Sequence, residues 1–215
     1  MTGPRIVIGD DHPLVQAALR SALPGALPGA EIVEAPNTEA VVDCVGRDPA
    51  GVDLVLLDLN LPGTPGLAGL FLLLAHFPTV PVAILSAVQD PSTIRRALAC
   101  GASGYIPKSL ALPTMVAAIE AILRGEVWAP PEAEGAAEPE DRDLATRFAS
   151  LSAQQLRILA MIVAGKLNKQ IAAELGIAEQ TVKIHVSTIL RKLDVGTRTQ
   201  AAVLAGRFGP IEARP

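Results

Sequence analysis

The chain has 215 residues, half of them hydrophobic, with 18 Lys and Arg against 22 Asp and Glu. That composition argues against disorder and leaves room for one large domain or two small ones, each with its own core. The charge is uneven: residues 1–150 hold 9 basic and 18 acidic side chains and residues 151–215 hold 9 and 4, so a segment of −9 precedes one of +5 that is suited to a polyanion. Cys44 and Cys100 stand outside any Cys-x-x-Cys or Cys/His cluster, which predicts reduced thiols in place of a disulfide framework or a zinc site. The start, MTGPRIVIGDDH, has no apolar h-region, and the longest apolar stretch, Leu67 to Ala75, is far short of the ~20 residues of a membrane span. A soluble, cytoplasmic protein is expected.

In chain order, short β-type runs alternate with segments of helical periodicity. The runs are Arg5–Ile8, Glu31–Glu34, Asp53–Leu57, Pro81–Leu85 and Gly104–Ile106; His12–Leu23, Thr38–Val45, Pro65–Phe77, Pro91–Cys100 and Leu112–Arg124 lie between or after them. Five β-α units predict an α/β fold, a doubly wound five-stranded parallel sheet with helices on both faces. Such sheets place ligands outside the carboxyl ends of their strands, where strand order reverses. From Trp128 to Asp143 the text is rich in Pro, Ala and acids, lacks periodicity, and reads as a linker. Residues 151–206 read as four helices punctuated by Gly165, Gly176 and Gly196, a small all-α domain. The boundaries drawn are 1–126, a linker at 127–149, and 150–215.

The segment after Pro65 has more apolar surface than one face of a surface helix requires. Leu67, Leu70, Leu73, Leu74 and Phe77 lie in one arc, and Ala68, Phe71, Leu72 and Ala75 follow the i, i+3, i+4, i+7 spacing on the other side. Two readings stand: a drift of composition toward Ala and Leu, or a docking stripe for the basic domain or a second subunit.

Asp58 ends the third β-type run, while Asp10 and Asp11 end the first. With those strands adjacent, three carboxylates converge, and two of them about 4 Å apart repel by roughly 4 kcal/mol near a surface. A hard divalent cation such as Mg²⁺, bound by carboxylates, a backbone carbonyl and water, answers that repulsion. Ser86 and Lys108 lie at matching strand ends and supply a hydroxyl and an ammonium for phosphoryl oxygens, leaving a carboxylate to act as nucleophile. His12 and His76 have no ligand-spaced partners, which assigns them surface or capping roles.

On DDHPLV (10–15), LLDLNLPGTPG (56–66), AILSA (83–87) and GASGYIPK (101–108), residues 4–124 resemble a response-regulator receiver domain, which is flavodoxin-like. The resemblance implies that Asp58 is the phosphoacceptor, that Asp11, Asp58 and the Asn60 carbonyl bind Mg²⁺ with help from Asp10, and that Ser86 and Lys108 bind the phosphoryl group. It implies Tyr105 as the aromatic switch residue and a sensor histidine kinase as partner. Two departures are Pro65, where an acid or amide is usual, and Lys108-Ser109, where Lys-Pro is frequent.

In NKQIAAELGIAEQTVKIHVSTILRKL (168–193), Ala172 is small where two helices cross, Gly176 allows the turn, and Val182 re-enters the core, which is helix-turn-helix spacing. Val182, Val186, Ile189, Leu190 and Leu193 form an apolar stripe, leaving Lys183, Ile184, Ser187 and Arg191 to face a major groove. Lys169, Arg191 and Lys192 are placed to neutralise phosphates. Residues 151–206 resemble the LuxR-type helix-turn-helix, and the two halves together resemble the NarL/FixJ response regulators. That resemblance maps base contacts onto Lys183, Ile184 and Ser187, with Thr181 beside them, and a dimer contact onto about Arg198–Ala205. One departure is the opening helix, which has Gln155 and Arg157 where the family usually has acids.

The function expected is transcription control through phosphorylation of Asp58, as a homodimer on operator DNA. Two alternatives are a receiver-like binding module without phosphorylation control and a metal-dependent phosphohydrolase. The second lacks a general acid two residues after Asp58, where Asn60 stands, so slow self-dephosphorylation is the most enzymology expected.

Overall fold

Short apolar runs form five strands, β1 (Arg5–Gly9), β2 (Glu31–Ala35), β3 (Leu54–Leu57), β4 (Val82–Ser86) and β5 (Gly104–Pro107); β3, β4 and β5 are buried along their whole length, while the edge strand β2 is largely exposed or half-buried. In this computed structural model, which describes residues 3–62, 66–133, 135 and 137–206, all pair in parallel in the order β2-β1-β3-β4-β5. Register sets Val7 opposite Val33 on one side and Val55 on the other, and Ile84 opposite Tyr105. Because side chains alternate along a strand, Ile6, Ile8, Leu54, Leu56, Ala83 and Leu85 join one buried cluster. Val7, Val55, Leu57, Ile84 and Tyr105 join another.

Helices α1 (Pro13–Ala26) and α5 (Leu112–Leu123) cover the first cluster with Leu19, Leu23, Met115 and Ile119. On the opposite face α2 (Thr38–Arg47), α3 (Ala68–His76) and α4 (Pro91–Ala99) contribute Val41, Val45, Leu70, Leu73, Ile94 and Ala97. Side chains that satisfy orphan amides fix the helix starts: Asn37 Oδ1 accepts from Ala40 N at 2.8 Å, and Asp90 Oδ2 from Thr93 N at 2.9 Å. The hydrogen bond from Ser92, followed by those from Thr93, holds the Asp90 carboxyl below its ordinary pKa despite partial burial. The helix start expected at Pro65 lies outside the described residues.

Described parts of the segment read as a linker carry regular structure. Trp128 bridges to Gly104, and its carbonyl accepts from Tyr105 N at 2.8 Å, so residues beside it lie along the β5 edge. Helix α6 (Pro139–Ala149) begins inside that segment, with Pro139 in its first turn and Glu140 and Asp141 at its positive N-terminal end. Leu144, Ala145 and Phe148 form its buried face, and only Leu144 onward lay beyond the acid-rich text.

Four helices follow: α7 (Ala153–Val163), α8 (Asn168–Leu175), α9 (Glu179–Leu193) and α10 (Arg198–Gly206). The second apolar cluster of the sheet continues without a break into this domain. Phe71 and Leu72 on the far side of α3 are 2% and 5% exposed and belong to the same cluster as Phe148, Leu156 and Leu159. Ala68 shares a lining with Leu156, Leu159 and Val163 of α7, so the chain's own basic domain covers the additional stripe. Ala75, at its end, stays exposed.

Candidate functional site

Gly9 is opposite Leu57 in the register of β1 and β3, so Asp10 and Asp58 leave the sheet side by side, one residue further on. This is where the chain departs to opposite sides of β1, the position at which doubly wound sheets bind ligands. Both side chains are buried, at 0% and 1% exposure, whereas Asp11 faces solvent. Lys108, one residue past β5, sends its ammonium across the strand ends to within 2.8 Å of Asp58 Oδ2 and 2.8 Å of Asp10 Oδ2. Among the described residues, Asp58 Oδ1 accepts no hydrogen bond. One cation is therefore shared by two buried carboxylates, with an exposed third beside them.

Ser86 is fully buried at the end of β4, and its Oγ accepts from Val88 N at 3.2 Å. The Lys108 amide donates to Ser86 O at 2.7 Å, which ties the two strand ends together. Tyr105 is fully buried, its hydroxyl donating to Val88 O at 2.9 Å in the loop before α4. Burial raises its phenol above the ordinary range, against the opposing effect of a hydrogen bond with Ser86. Asn60 follows in the turn after β3, exposed between the buried Leu59 and Leu61. Four oxygens or nitrogens, one each from Asp10, Asp11, His12 and Asp58, fall within 4.8 Å of one another. His12 lies at the surface as expected, its side chain 58% exposed, and at the N-cap position of α1 without a side-chain capping bond; in addition its Nδ1 joins the carboxylates. The turn made by His12 N donating to Asp10 Oδ1 at 2.9 Å brings it there, a contact that ligand spacing along the chain does not reveal.

The second site is the outer face of α9. Val182, Ile189 and Leu193 are fully buried, and Gly176, left-handed at φ 64°, turns the chain from α8 into α9. Lys183, Ser187 and Arg191 are exposed and Ile184 is 59% exposed, all lining one open hollow with Gln180 and Thr188. Those last two were missed, although Gln180 is three before Lys183 and Thr188 four after Ile184, neighbours on one face. Lys183 Nζ is 3.0 Å from Glu179 Oε1. Lys169 is exposed at the start of α8, and Thr181 is half-buried. Lys192 stands apart from this group: its ammonium donates to Ser150 O at 2.5 Å and Gln155 Oε1 at 3.0 Å.

The departure at Gln155 has a structural account. Ser152 and Gln155 form a reciprocal capping box at the start of α7, a role that an amide fills as an acid would. Arg157 lines a cleft with Glu39 and Asp43 of α2, which gives its charge complementary neighbours on the first domain.

A doubly wound domain with an acidic pocket at its strand ends, joined to a helix-turn-helix domain, defines a response regulator. Residues 6–120 match the response regulator receiver domain, and residues 149–205 match the bacterial regulatory proteins of the luxR family. A glycerol metabolism activator of Pseudomonas putida is 41% identical over 94% of this chain and 95% of its own. The nitrate/nitrite response regulator protein NarP of Escherichia coli is 34% identical over 93% of each. Among solved structures, an RcsB–DNA complex aligns with TM-score 0.56 at 20% identity, over 95% of this chain and 98% of its own, a likeness of fold. A LuxR family DNA-binding response regulator from Silicibacter pomeroyi aligns with TM-score 0.52 at 32% identity, over 60% of this chain and 98% of its own. The chain belongs to the NarL/FixJ family of response regulators and is a two-component regulator of transcription. Among the described residues, no helix is long and apolar enough to cross a membrane.

Proposed function

We propose that Asp58 is the phosphoacceptor of this regulator. The observation that carries the reading is its carboxylate, buried at the strand end with Oδ2 held by Lys108 and Oδ1 without a hydrogen-bond partner among the described residues. An oxygen so placed attacks the phosphorus of a phosphohistidine on the partner kinase; the P–N bond breaks, and an acyl phosphate forms on Asp58. Lys108 turns from the two carboxylates to the transferred phosphoryl oxygens, and the Ser86 hydroxyl donates to another.

The residues fit a divalent cation, since hard oxygen donors converge and one of them is buried and unsatisfied. Asp11, Asp58 and the Asn60 carbonyl would hold Mg²⁺, with Asp10 positioning it; when bound, the ion would neutralise charge between carboxylate and phosphoryl group. Asn60 supplies no proton for hydrolysis, so the acyl phosphate is lost slowly and the chain is not an enzyme in its own right.

Tyr105, bonded to the loop before α4, is the residue through which the phosphorylated site reaches α4. On DNA, Lys183, Ile184 and Ser187 read base edges with Thr181 beside them, while Lys169 and Arg191 contact phosphates. Their face is exposed while the two domains are docked, so phosphorylation acts on the pairing of two copies through α10 and not by uncovering the reading face. Two helices then reach half-sites about one helical turn apart. Residues 1–126 are the receiver unit, 127–149 the connection and 150–215 the DNA-binding unit, which acts where the chromosome lies, in the cytoplasm. Labelling with a small phosphodonor tests the reading. Wild type is expected to form a Mg²⁺-dependent acyl phosphate and Asp58→Asn none; labelling that survives in Asp58→Asn would overturn it.

A further inference from the structure

The exposed imidazole of His12 sits in a geometry that a surface histidine does not need. Its Nδ1 lies 2.9 Å from Asp11 Oδ1, 2.9 Å from Asp10 Oδ1 and 3.7 Å from Asp58 Oδ2. On an octahedral ion with bonds of about 2.1 Å, adjacent donor atoms stand about 3 Å apart and opposite ones about 4.2 Å apart. The spacings around Nδ1 fall at or between those values. The buried Asp58 Oδ1 that accepts no hydrogen bond independently marks the same pocket as one that takes a ligand.

We propose that His12 binds the divalent cation of this pocket through Nδ1 and shifts its preference from magnesium toward first-row transition ions. Nitrogen donors gain little with Mg²⁺, which favours hard oxygens, and more with ions further along the first row. The inference rests on the reading of this pocket as a cation site and adds a residue to it. Asp10, Asp11, Asp58 and Lys108 all face the ring, and Lys108 Nζ is 3.3 Å from the same nitrogen. Loss of the imidazole changes the field of that ammonium on every ion alike, so the ratio of affinities isolates the nitrogen ligand.

The test uses Mn²⁺ as a spectroscopic probe on the full-length protein. Pulsed electron paramagnetic resonance of bound Mn²⁺ is expected to show ¹⁴N modulation from a directly bound imidazole in wild type and His76→Ala, and none in His12→Ala. Competition between Mn²⁺ and Mg²⁺ is expected to show their affinity ratio falling on the order of tenfold in His12→Ala. The ring is 58% exposed and makes no capping hydrogen bond at the N-cap position it occupies on α1, so this variant keeps its fold. Bound Mn²⁺ without nitrogen modulation in wild type, or a ratio unchanged in His12→Ala, would overturn the role of His12 and leave the cation site standing. If neither ion binds wild type, or both bind Asp11→Asn/Asp58→Asn as tightly, the cation site itself falls, and the role of His12 with it.

Discussion

The ring of Phe71 on α3 stacks against the ring of Phe148 on α6, with centroids 5.1 Å apart and planes inclined by 22°. Both residues are 2% exposed, so an aromatic pair at native packing joins the receiver to the helix that leads into the DNA-binding domain. Large-to-small changes at such sites cost about 3–5 kcal/mol. Phe148→Ala is expected to uncouple the domains: calorimetry should resolve the wild-type unfolding into two transitions, and small-angle scattering should show a larger radius of gyration. A single transition with unaltered scattering would mean that the stack does not hold the domains together.

Beside that stack, Arg96 of α4 is paired with Asp141 of α6, Nε to Oδ1 at 3.0 Å, with both side chains 18% exposed. Burial pushes the nearby Cys100 thiol up to about 12, against the lowering field of Arg96 and with a further rise from Asp141. The sign follows from linkage: a thiol with folded pKa above its ordinary 9.0 stabilises the fold fully below pH 9, and that contribution is lost as pH rises toward 12. Melting temperature should therefore fall less steeply between pH 9 and 11 in Cys100→Ala than in wild type. At neutral pH, alkylation should reach Cys44 before Cys100, and Asp141→Ala should accelerate the reaction at Cys100. Equal rates at the two thiols in wild type would contradict the closed contact.

Gly104 holds the connection against β5. A Cβ there would stand 2.5 Å from Ile122 Cδ1 and 3.0 Å from the Trp128 carbonyl oxygen, which pairs with Tyr105. The terminal Cδ1 methyl of Ile122 can move, but the backbone oxygen cannot without giving up its bond. Gly104→Ala is expected to displace Trp128, seen as a red shift of its fluorescence, and to destabilise the chain by about 1–3 kcal/mol in denaturant titration. An unshifted spectrum would show that the bridge yields without cost.

The sheet and the positions of Asp58, Ser86 and Lys108 were legible because short continuous apolar runs and strand-end chemistry are local properties of the text. The same holds for α9, whose apolar stripe is visible in five residues. His12 was not legible, because its contacts depend on a turn around Asp10 and on two other strand ends. The doubled apolar face of α3 could be seen, with the basic domain as one of two occupants read for it, but not the share taken by α6: Phe148 lies 77 positions further along, beyond acid-rich text that hid the start of that helix. Lys192 reads as a phosphate contact from its place on a basic helix, but its partners Ser150 and Gln155 come from the start of a different helix and are not visible in that stretch of text.

Lys183 and Lys192 lie on the same helix and carry the same charge, yet their surroundings differ, and different effects of removing them are expected. Lys183 is exposed on the face proposed to read DNA and pairs with the exposed Glu179, and a surface pair of that kind is worth little. Its ammonium is free to exchange that carboxylate for a guanine edge. Lys183→Ala is expected to relax discrimination at one base pair by about 1–3 kcal/mol. Lys192 is half-buried and donates to the Ser150 carbonyl and the Gln155 amide oxygen at the start of α7. Lys192→Ala should lower stability by about 1 kcal/mol and leave the salt dependence of DNA binding unchanged. By contrast, Arg191→Ala, on the exposed face, should reduce the salt slope by about 1 and weaken all sequences alike. Binding of operator and random DNA across a salt series, together with melting of each free variant, separates the three. A reduced salt slope for Lys192→Ala with unaltered melting would return that lysine to the DNA interface.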